Sequence, residues 1–170
     1  MPRYVALLRA VNVGGTGKLP MNELKSICTA AGFTGVETYI ASGNVVFNSA
    51  LASPKVKAEL ERRLHKHMGK ATGVIVRTAT EFYAAFKANP FRKSDPKSAY
   101  IVFLDAPVPK SALTEVKGQS DEEIKLGKRE IYICYPGGMG RSKLKIPAAA
   151  AGTARNLNTV EALVDMAAKS

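Results

Sequence analysis

The chain has 170 residues, of which 46% are hydrophobic and 23% are charged, and its formal net charge is +11. This composition is typical of a globular protein with a buried core, and the length suits one domain or two small ones. No apolar run approaches the roughly 20 residues of a membrane-spanning helix, so a membrane partner is not expected. The basic excess indicates affinity for something anionic, although a generally basic, solvated surface explains it nearly as well because no run of five like charges occurs.

Residues 4–18 read as an apolar strand that runs into a glycine-rich turn before a helix. Gly14, Gly15 and Gly17 fit neither the G-x-G-x-x-G dinucleotide fingerprint nor the G-x-x-x-x-G-K-[ST] P-loop, which disfavours those two classes of nucleotide-binding enzyme. Backbone N–H groups in such a turn can still converge on an anion. The alternative is that the glycines only allow positive φ in a tight turn.

The remaining elements of the first half follow the order of a known plan. After the strand at residues 4–9, the apolar periodicity predicts a helix from residue 20 to Gly32, strands at 36–40 and 45–47, a helix from Ser53 to Gly69 and a strand at 73–77. The order β-α-β-β-α-β is that of the split β-α-β, or ferredoxin-like, unit.

The second half repeats this plan only in part. It predicts a short helix opened by the capping box of Thr78 and Glu81, then strands at 100–104, 123–126 and 131–135, a short helix at 111–116 and a last helix from Asn158. Residues 136–140 break the chain before Arg141-Ser142-Lys143, and no fourth strand is evident. We therefore predict an α+β protein with two ferredoxin-like lobes and antiparallel sheets, the second lobe incomplete. The lobes would be residues 1–78 and 99–170, joined by a helix and loop at 79–98.

The predicted topology brings polar residues to one edge of the first sheet. The ends of the first two strands, the turn between the second and third, and the start of the first helix should meet there. This edge predicts a ligand site made of Arg9, Asn12, Gly14, Gly15, Lys18, Ser42, Gly43 and Asn44. Arg9 matters most, because an arginine that ends an apolar strand needs carbonyls, carboxylates or an anion around its guanidinium. The alternative is structural, with Arg9 bonded to loop carbonyls and Asn12 and Asn44 capping turns.

A second polar group precedes the last helix. Asn158 is expected to cap that helix, with Glu161 completing a capping box. Capping does not account for Arg155 and Asn156, which are therefore candidates to complete the same pocket or to form a second one.

Cysteine and histidine usage predicts neither a metal site nor a cofactor. Cys28 and Cys134 lie in apolar segments and read as small core residues. His65 and His67 are two apart on a predicted helix, so they point to different sides. The first residues do not follow a signal-peptide layout, and a cytoplasmic location is expected.

Six segments of the sequence together resemble one protein family. They are YVALLRAVNVGG at 4–15, PM at 20–21, TYIASGNVVF at 38–47, NPF at 89–91, SKL at 142–144 and RNLNT at 155–159. This combination is similar to the family catalogued as domain of unknown function 1697. Ala10 stands where the family usually has glycine, which suggests that position 10 does not need positive φ here. Leu157 stands where the family often has tryptophan, which would alter an apolar contact beside Arg155 and Asn156.

The resemblance implies two ferredoxin-like α+β lobes in a bacterial cytoplasmic protein, and it implies no activity. The residues themselves favour a non-catalytic protein that binds an anionic, phosphate- or nucleotide-like small molecule. One alternative is nucleic-acid binding. It would be weak and independent of the base sequence, because the chain has no run of aromatic and basic residues like that of RNA-binding modules. The other is an enzyme of unknown reaction in the same polar cleft. No catalytic residue is assigned, because the sequence shows no general base for Ser42 and the predicted edge of the first sheet contains no carboxylate or histidine.

Overall fold

The structure is a computed structural model that describes residues 1–11 and 18–169. The first half forms β1 (Arg3–Leu8), α1 (Met21–Ala30), β2 (Thr34–Tyr39), β3 (Asn44–Asn48), α2 (Ser53–Met68) and β4 (Val74–Thr78). The second half forms α3 (Ala79–Lys87), β5 (Ala99–Phe103), β6 (Glu123–Leu126), β7 (Glu130–Cys134), β8 (Thr153–Asn156) and α4 (Leu157–Ala168). The predicted α+β class is confirmed. None of the helices in these ranges is both long enough and apolar enough to cross a membrane.

The strands form two four-stranded antiparallel sheets. Their orders are β2-β3-β1-β4 and β6-β7-β5-β8. In the first sheet, β3 lies between β1 and β2, with Val46 opposite Val5 and Val45 opposite Thr38. The continuously apolar β1 is therefore a central strand, as its composition indicates.

Two features of the second half differ from the sequence prediction. The strand β8 pairs with β5 and supplies a fourth strand, which was missed because Thr153–Asn156 is short and carries polar residues. Residues 111–116 form turns instead of the predicted helix. Only Ala112 in that segment is fully buried, so it lacks the apolar face that would hold a short helix against a core.

The chain divides into two compact units. One holds the described residues of Met1–Tyr83 and Ala162–Ser170, and the other holds Ala84–Glu161. The end of α4 therefore lies in the same unit as β1. Arg3 of β1 links the two, because its Nε donates to the Met166 carbonyl oxygen at 3.3 Å.

The core of the first unit lies between its sheet and its two long helices. α1 contributes Leu24 and Cys28, α2 contributes Leu60 and Leu64, and all four side chains are completely buried. These residues recur at helical spacing, and each such leucine stabilises the fold by about 1.5–3 kcal/mol. The helices therefore pack on this sheet through the apolar stripes that the sequence predicts.

Side chains cap both helices of the second half. The predicted box at α3 is present, since Thr78 N donates to Glu81 Oε1 at 2.8 Å and Glu81 N donates to Thr78 Oγ1 at 3.1 Å. At α4 the capping group is Asn156, whose Oδ1 accepts from Thr159 N at 2.9 Å, and not Asn158 as predicted. The helix begins one residue earlier than its sequence pattern indicates.

Candidate functional site

The end of β1 and the β2–β3 turn lie together at one edge of the first sheet. Leu8 N donates to the Gly43 carbonyl oxygen at 2.8 Å, and Arg9 N donates to the Gly73 carbonyl oxygen at 2.9 Å. The end of β1, the β2–β3 turn and the start of β4 are therefore joined at one edge. Asn12, Gly14 and Gly15 of the predicted site lie outside the described residues.

The β2–β3 turn at this edge is held by its own polar groups. Asn44 is completely buried, and its Nδ2 donates to the Tyr39 carbonyl oxygen at 2.9 Å and to Ser42 Oγ at 2.8 Å. Gly43 has φ +88°, and a Cβ there would lie 2.9 Å from Leu8 Cβ. Three of the predicted site residues thus build the turn, which agrees with the structural alternative for Asn44.

Two residues without glycine's freedom adopt positive φ at the same edge. Ala10, just after β1, has φ +53°, and Ile40, just after β2, has φ +48°. The expectation that position 10 does not need positive φ is therefore wrong. A β-branched residue in this region is a conformational outlier, and Ile40 is also 51% exposed. Backbone strain of this kind is retained where the surrounding structure demands it.

The two predicted cations of the edge differ in burial. Arg9 is half-buried, and its Cδ lies 3.1 Å from the position of a Cβ built on Gly73. Lys18 is exposed.

Arg155 and Asn156 lie in the second unit, whereas Arg9 lies in the first. Arg155 is buried, and its Nη1 donates to Thr153 Oγ1 at 2.7 Å and to the Ala154 carbonyl oxygen at 2.9 Å. Burial lowers the pKa of Arg155 to about 10, so the guanidinium stays charged at neutral pH. Asn156 is accounted for by the cap of α4, contrary to the sequence interpretation.

The second unit also contains a polar pocket that the sequence analysis did not assign. Its volume is about 340 Å³, within the range of small-molecule sites. It is lined by Gly118, Ser120, Asp121, Glu122, Tyr135, Gly137, Gly138, Arg141, Ser142 and Lys143. We call this set the Glu122 pocket.

Glu122 joins the two sides of this pocket. It is buried, its Oε1 accepts from Ser120 N at 2.6 Å, and its Oε2 accepts a short hydrogen bond from Ser142 Oγ. These bonds, the one from Ser142 first, hold the pKa of Glu122 below its ordinary value of 4.5. Ser142 Oγ in turn accepts from Leu144 N at 3.0 Å. The Glu122 carboxylate is therefore ionised at neutral pH and anchors the segment that carries Arg141 and Lys143.

Tyr135 forms the aromatic part of the pocket. Its ring meets Tyr100 edge-on, with centroids 5.5 Å apart at an interplanar angle of 86°. Burial raises the pKa of Tyr135, and Tyr100 and the Glu122 carboxylate add to the rise. Its hydroxyl therefore stays protonated at neutral pH, and it has no hydrogen-bond partner in the described part of the chain.

Three charged side chains of the pocket are not used by the fold. Within residues 1–11 and 18–169, the side chains of Arg141, Lys143 and Asp121 make no hydrogen bond or ion pair, although all three line the same concavity. Their net charge is +1. The same residue ranges contain no group of three or more His, Cys, Asp and Glu side chains that could hold a metal ion.

Glycines leave one side of the pocket bare. A Cβ built on Gly138 would meet nothing within 4 Å, and one on Gly137 would meet only Asp121 Oδ2 at 3.9 Å. Gly138 has φ +88°, which suits the turn that follows Tyr135. This side of the pocket is therefore formed by backbone atoms without side chains.

A sequence signal for part of this pocket was present. The glycine-rich break at 136–140 followed by Arg-Ser-Lys is a pattern that can receive an anion, and SKL is one of the segments that carries the family resemblance. Nothing in the linear sequence links Ser142 to Glu122, because 20 residues separate them.

Comparison with known proteins agrees with the resemblance. The family described as "Protein of unknown function (DUF1697)" matches residues 1–132. The chain belongs to the DUF1697 family. No curated protein matches it.

A solved structure extends the likeness of this DUF1697 protein over both units. It is that of the conserved bacterial protein SP0830 from Streptococcus pneumoniae, which is 25% identical with a TM-score of 0.82, covering 98% of each chain. The family match ends before Arg141, whereas the structural likeness extends over nearly the whole chain.

Proposed function

We propose that this DUF1697 protein is a non-catalytic binder of a small anionic ligand of phosphate- or nucleotide-like chemistry, held in the Glu122 pocket. The observation that carries the proposal is that Arg141 and Lys143 line one concavity without a partner among the described residues. A guanidinium matches a phosphate with two parallel hydrogen bonds, and an ammonium adds a mobile point charge. The pair would therefore favour phosphate over a neutral ligand.

The state of Ser142 and Glu122 supports binding without catalysis. A serine nucleophile needs a base that accepts its proton near neutral pH. The pKa of Glu122 is lowered, so its carboxylate is a weak base, and no histidine lines the pocket. Ser142 Oγ is also held by Leu144 N. These bonds give Ser142 a positioning role.

Isothermal titration calorimetry with adenosine monophosphate tests the proposal. Arg141→Gln and Lys143→Gln should each weaken binding about tenfold, because each removes a charge-assisted hydrogen bond. Lys110→Gln is the matched control, since Lys110 is an exposed cation of the same unit outside the pocket. Wild-type protein that binds no phosphate compound, or equal loss in all three variants, would contradict the proposal.

The edge of the first sheet is a second candidate site for the same function. Arg9, Lys18 and Ser42 would supply the polar groups, and the other predicted members, Asn12, Gly14 and Gly15, lie outside the described residues. The supporting observation is that Ala10 and Ile40 both carry backbone strain at this edge.

A basic face of the first unit favours weak nucleic-acid binding as a second candidate function. The groove between α1 and α2 is lined by Arg62, Arg63, Lys66 and His67. Arg62 and Arg63 share the carboxylate of Glu59, at 2.7 and 2.6 Å, which reduces the charge available to a phosphate backbone.

We also propose a cytoplasmic location, which the buried, unbridged Cys28 and Cys134 support.

A further inference from the structure

We infer that the ligand of the Glu122 pocket is a hydroxylated phosphate monoester, a sugar phosphate or nucleoside monophosphate, whose hydroxyl groups are accepted by Asp121. The inference rests on the proposed function, since it assigns a ligand class to the same pocket. It makes Asp121 a specificity-determining residue, while Arg141 and Lys143 hold the phosphate.

The two adjacent carboxylates of the pocket differ in what they can still accept. Both oxygens of Glu122 already accept hydrogen bonds, from Ser120 N and Ser142 Oγ. Asp121 has no partner within the described residues, and its Oδ2 lies at the bare Gly137 backbone. An ionised carboxylate only accepts hydrogen bonds and has about four lone-pair sites. The Asp121 carboxylate can therefore accept hydrogen bonds from a ligand.

The charges in the pocket select against a simple anion. Inorganic phosphate or a dicarboxylate would use Arg141 and Lys143 but would bring only negative charge to Asp121. A phosphate ester of a polyhydroxy compound satisfies both ends, because its phosphate meets the cations and its hydroxyls donate to the carboxylate. Asp121 is exposed, so the advantage of the ester is the hydrogen bonds that its hydroxyls donate to this carboxylate, and the ester should bind more tightly than the anion alone.

The shape of the pocket suits a ring between these two ends. The volume of about 340 Å³ lies at the small end of ligand sites. Gly137 and Gly138 place no side chain there, and the protonated Tyr135 hydroxyl can donate to a ring or ester oxygen. For a pentose phosphate, one concavity therefore offers an acceptor in Asp121, a donor in Tyr135 and the two cations that hold the phosphate.

The test compares three probes by calorimetry on the full-length protein: ribose 5-phosphate, inorganic phosphate and ribose. We expect ribose 5-phosphate to bind at least about tenfold more tightly than inorganic phosphate, and ribose to bind very weakly. This comparison uses only wild-type protein, so it does not depend on any variant folding.

Variants then test which side chain binds the phosphate and which accepts the hydroxyls. Asp121→Asn should weaken ribose 5-phosphate about tenfold and leave inorganic phosphate unchanged or slightly tighter, because a negative charge is removed. Arg141→Gln should weaken both. Glu115→Gln is the control for Asp121→Asn, since Glu115 is an exposed carboxylate of the same unit outside the pocket.

The outcomes separate the inference from the proposed function. If inorganic phosphate binds as tightly as ribose 5-phosphate and Asp121→Asn changes neither, the inference is overturned while anion binding stands. If no phosphate-bearing probe binds, the proposed function fails, and the inference with it. If ribose 5-phosphate binds but Arg141→Gln has no effect, the ligand lies elsewhere and the inference is overturned.

Discussion

Gly118 lies so close to the backbone of Lys143 that a methyl group on its α carbon would overlap the Lys143 carbonyl oxygen. Next to this contact, Lys117 N donates to the Lys145 carbonyl oxygen at 2.9 Å, and Lys145 N donates to that of Lys117 at 2.8 Å. The two segments that line the Glu122 pocket are thus joined through their main chains. Glycine is required at position 118 by both the contact and its φ of +70°.

Gly118→Ala should therefore lower the free energy of unfolding and weaken ligand binding together. Positive φ alone costs alanine about 1–2 kcal/mol, and relief of the overlap would displace Lys143. Urea unfolding and calorimetry with adenosine monophosphate measure the two effects.

Gly140→Ala is the matched control for this change. A Cβ at Gly140 meets nothing within 4 Å, and its φ is not in the positive range. Its stability should be unchanged or rise by less than about 1 kcal/mol. Equal behaviour of the two variants would show that the approach of Gly118 to Lys143 does not matter.

Ser142→Ala should raise the pKa of Glu122 toward 4.5, because the Ser142 hydroxyl is the largest cause of the lowered pKa. Carbon-13 NMR titration of the side-chain carboxyls measures the pKa in wild-type and variant protein. Ser53→Ala provides a control at a serine outside the pocket. An unchanged pKa would contradict the assigned cause.

The same hydrogen bonds make stability depend on pH in a defined direction. Because the pKa of Glu122 is lower in the folded state, its contribution is complete above the unfolded value near 4.5. That contribution is lost as the pH falls through the lower, folded value. The stability difference between wild type and Ser142→Ala should therefore be larger at pH 7 than in strong acid, as measured by urea unfolding at both pH values.

Ala10→Gly should stabilise the protein. Ala10 has φ +53°, which costs an L-residue about 1–2 kcal/mol, and the greater entropy of unfolded glycine offsets part of that gain. A net rise of roughly 0.5–1 kcal/mol is expected from denaturant unfolding. Ala58→Gly in α2 should instead lose about 1 kcal/mol, because Ala58 is an exposed helical residue. Destabilisation by both changes would argue against positive φ at position 10.

Arg9→Met tests the edge of the first sheet. Methionine keeps the apolar stem that lies against Gly73 and removes the charge. If the edge is a second anion site, the variant should lose one binding site in calorimetry with inorganic phosphate and keep its melting temperature. Unchanged binding together with a loss of about 1–3 kcal/mol would leave Arg9 with a structural role alone.

Nucleic-acid binding, where it occurs, should be electrostatic. Fluorescence anisotropy with two oligonucleotides of equal length and different sequence should give similar affinities that fall steeply with added salt. Lys66→Gln should reduce the salt slope by about one, because Lys66 lies in the groove between α1 and α2. Lys110→Gln is the control, and sequence-selective binding that survives high salt would contradict this view.

The local patterns of the sequence determined most of the secondary structure of the first half. The apolar run of β1 predicted a central strand, and the spacing of Leu60 and Leu64 predicted the buried face of α2. Such features are visible because burial repeats with the period of the element itself. The short polar β8 was not visible, since its place is set by pairing with β5.

The Glu122 pocket was decided by the tertiary structure. Arg141-Ser142-Lys143 stood out in the sequence, but only folding brings Ser142 to Glu122 and Gly118 to Lys143. Position 10 shows the same limit, since an alanine in the sequence gives no sign of the φ that neighbouring strands impose on it. Periodicity reports which face of an element is buried, whereas a site depends on contacts between segments far apart in the chain.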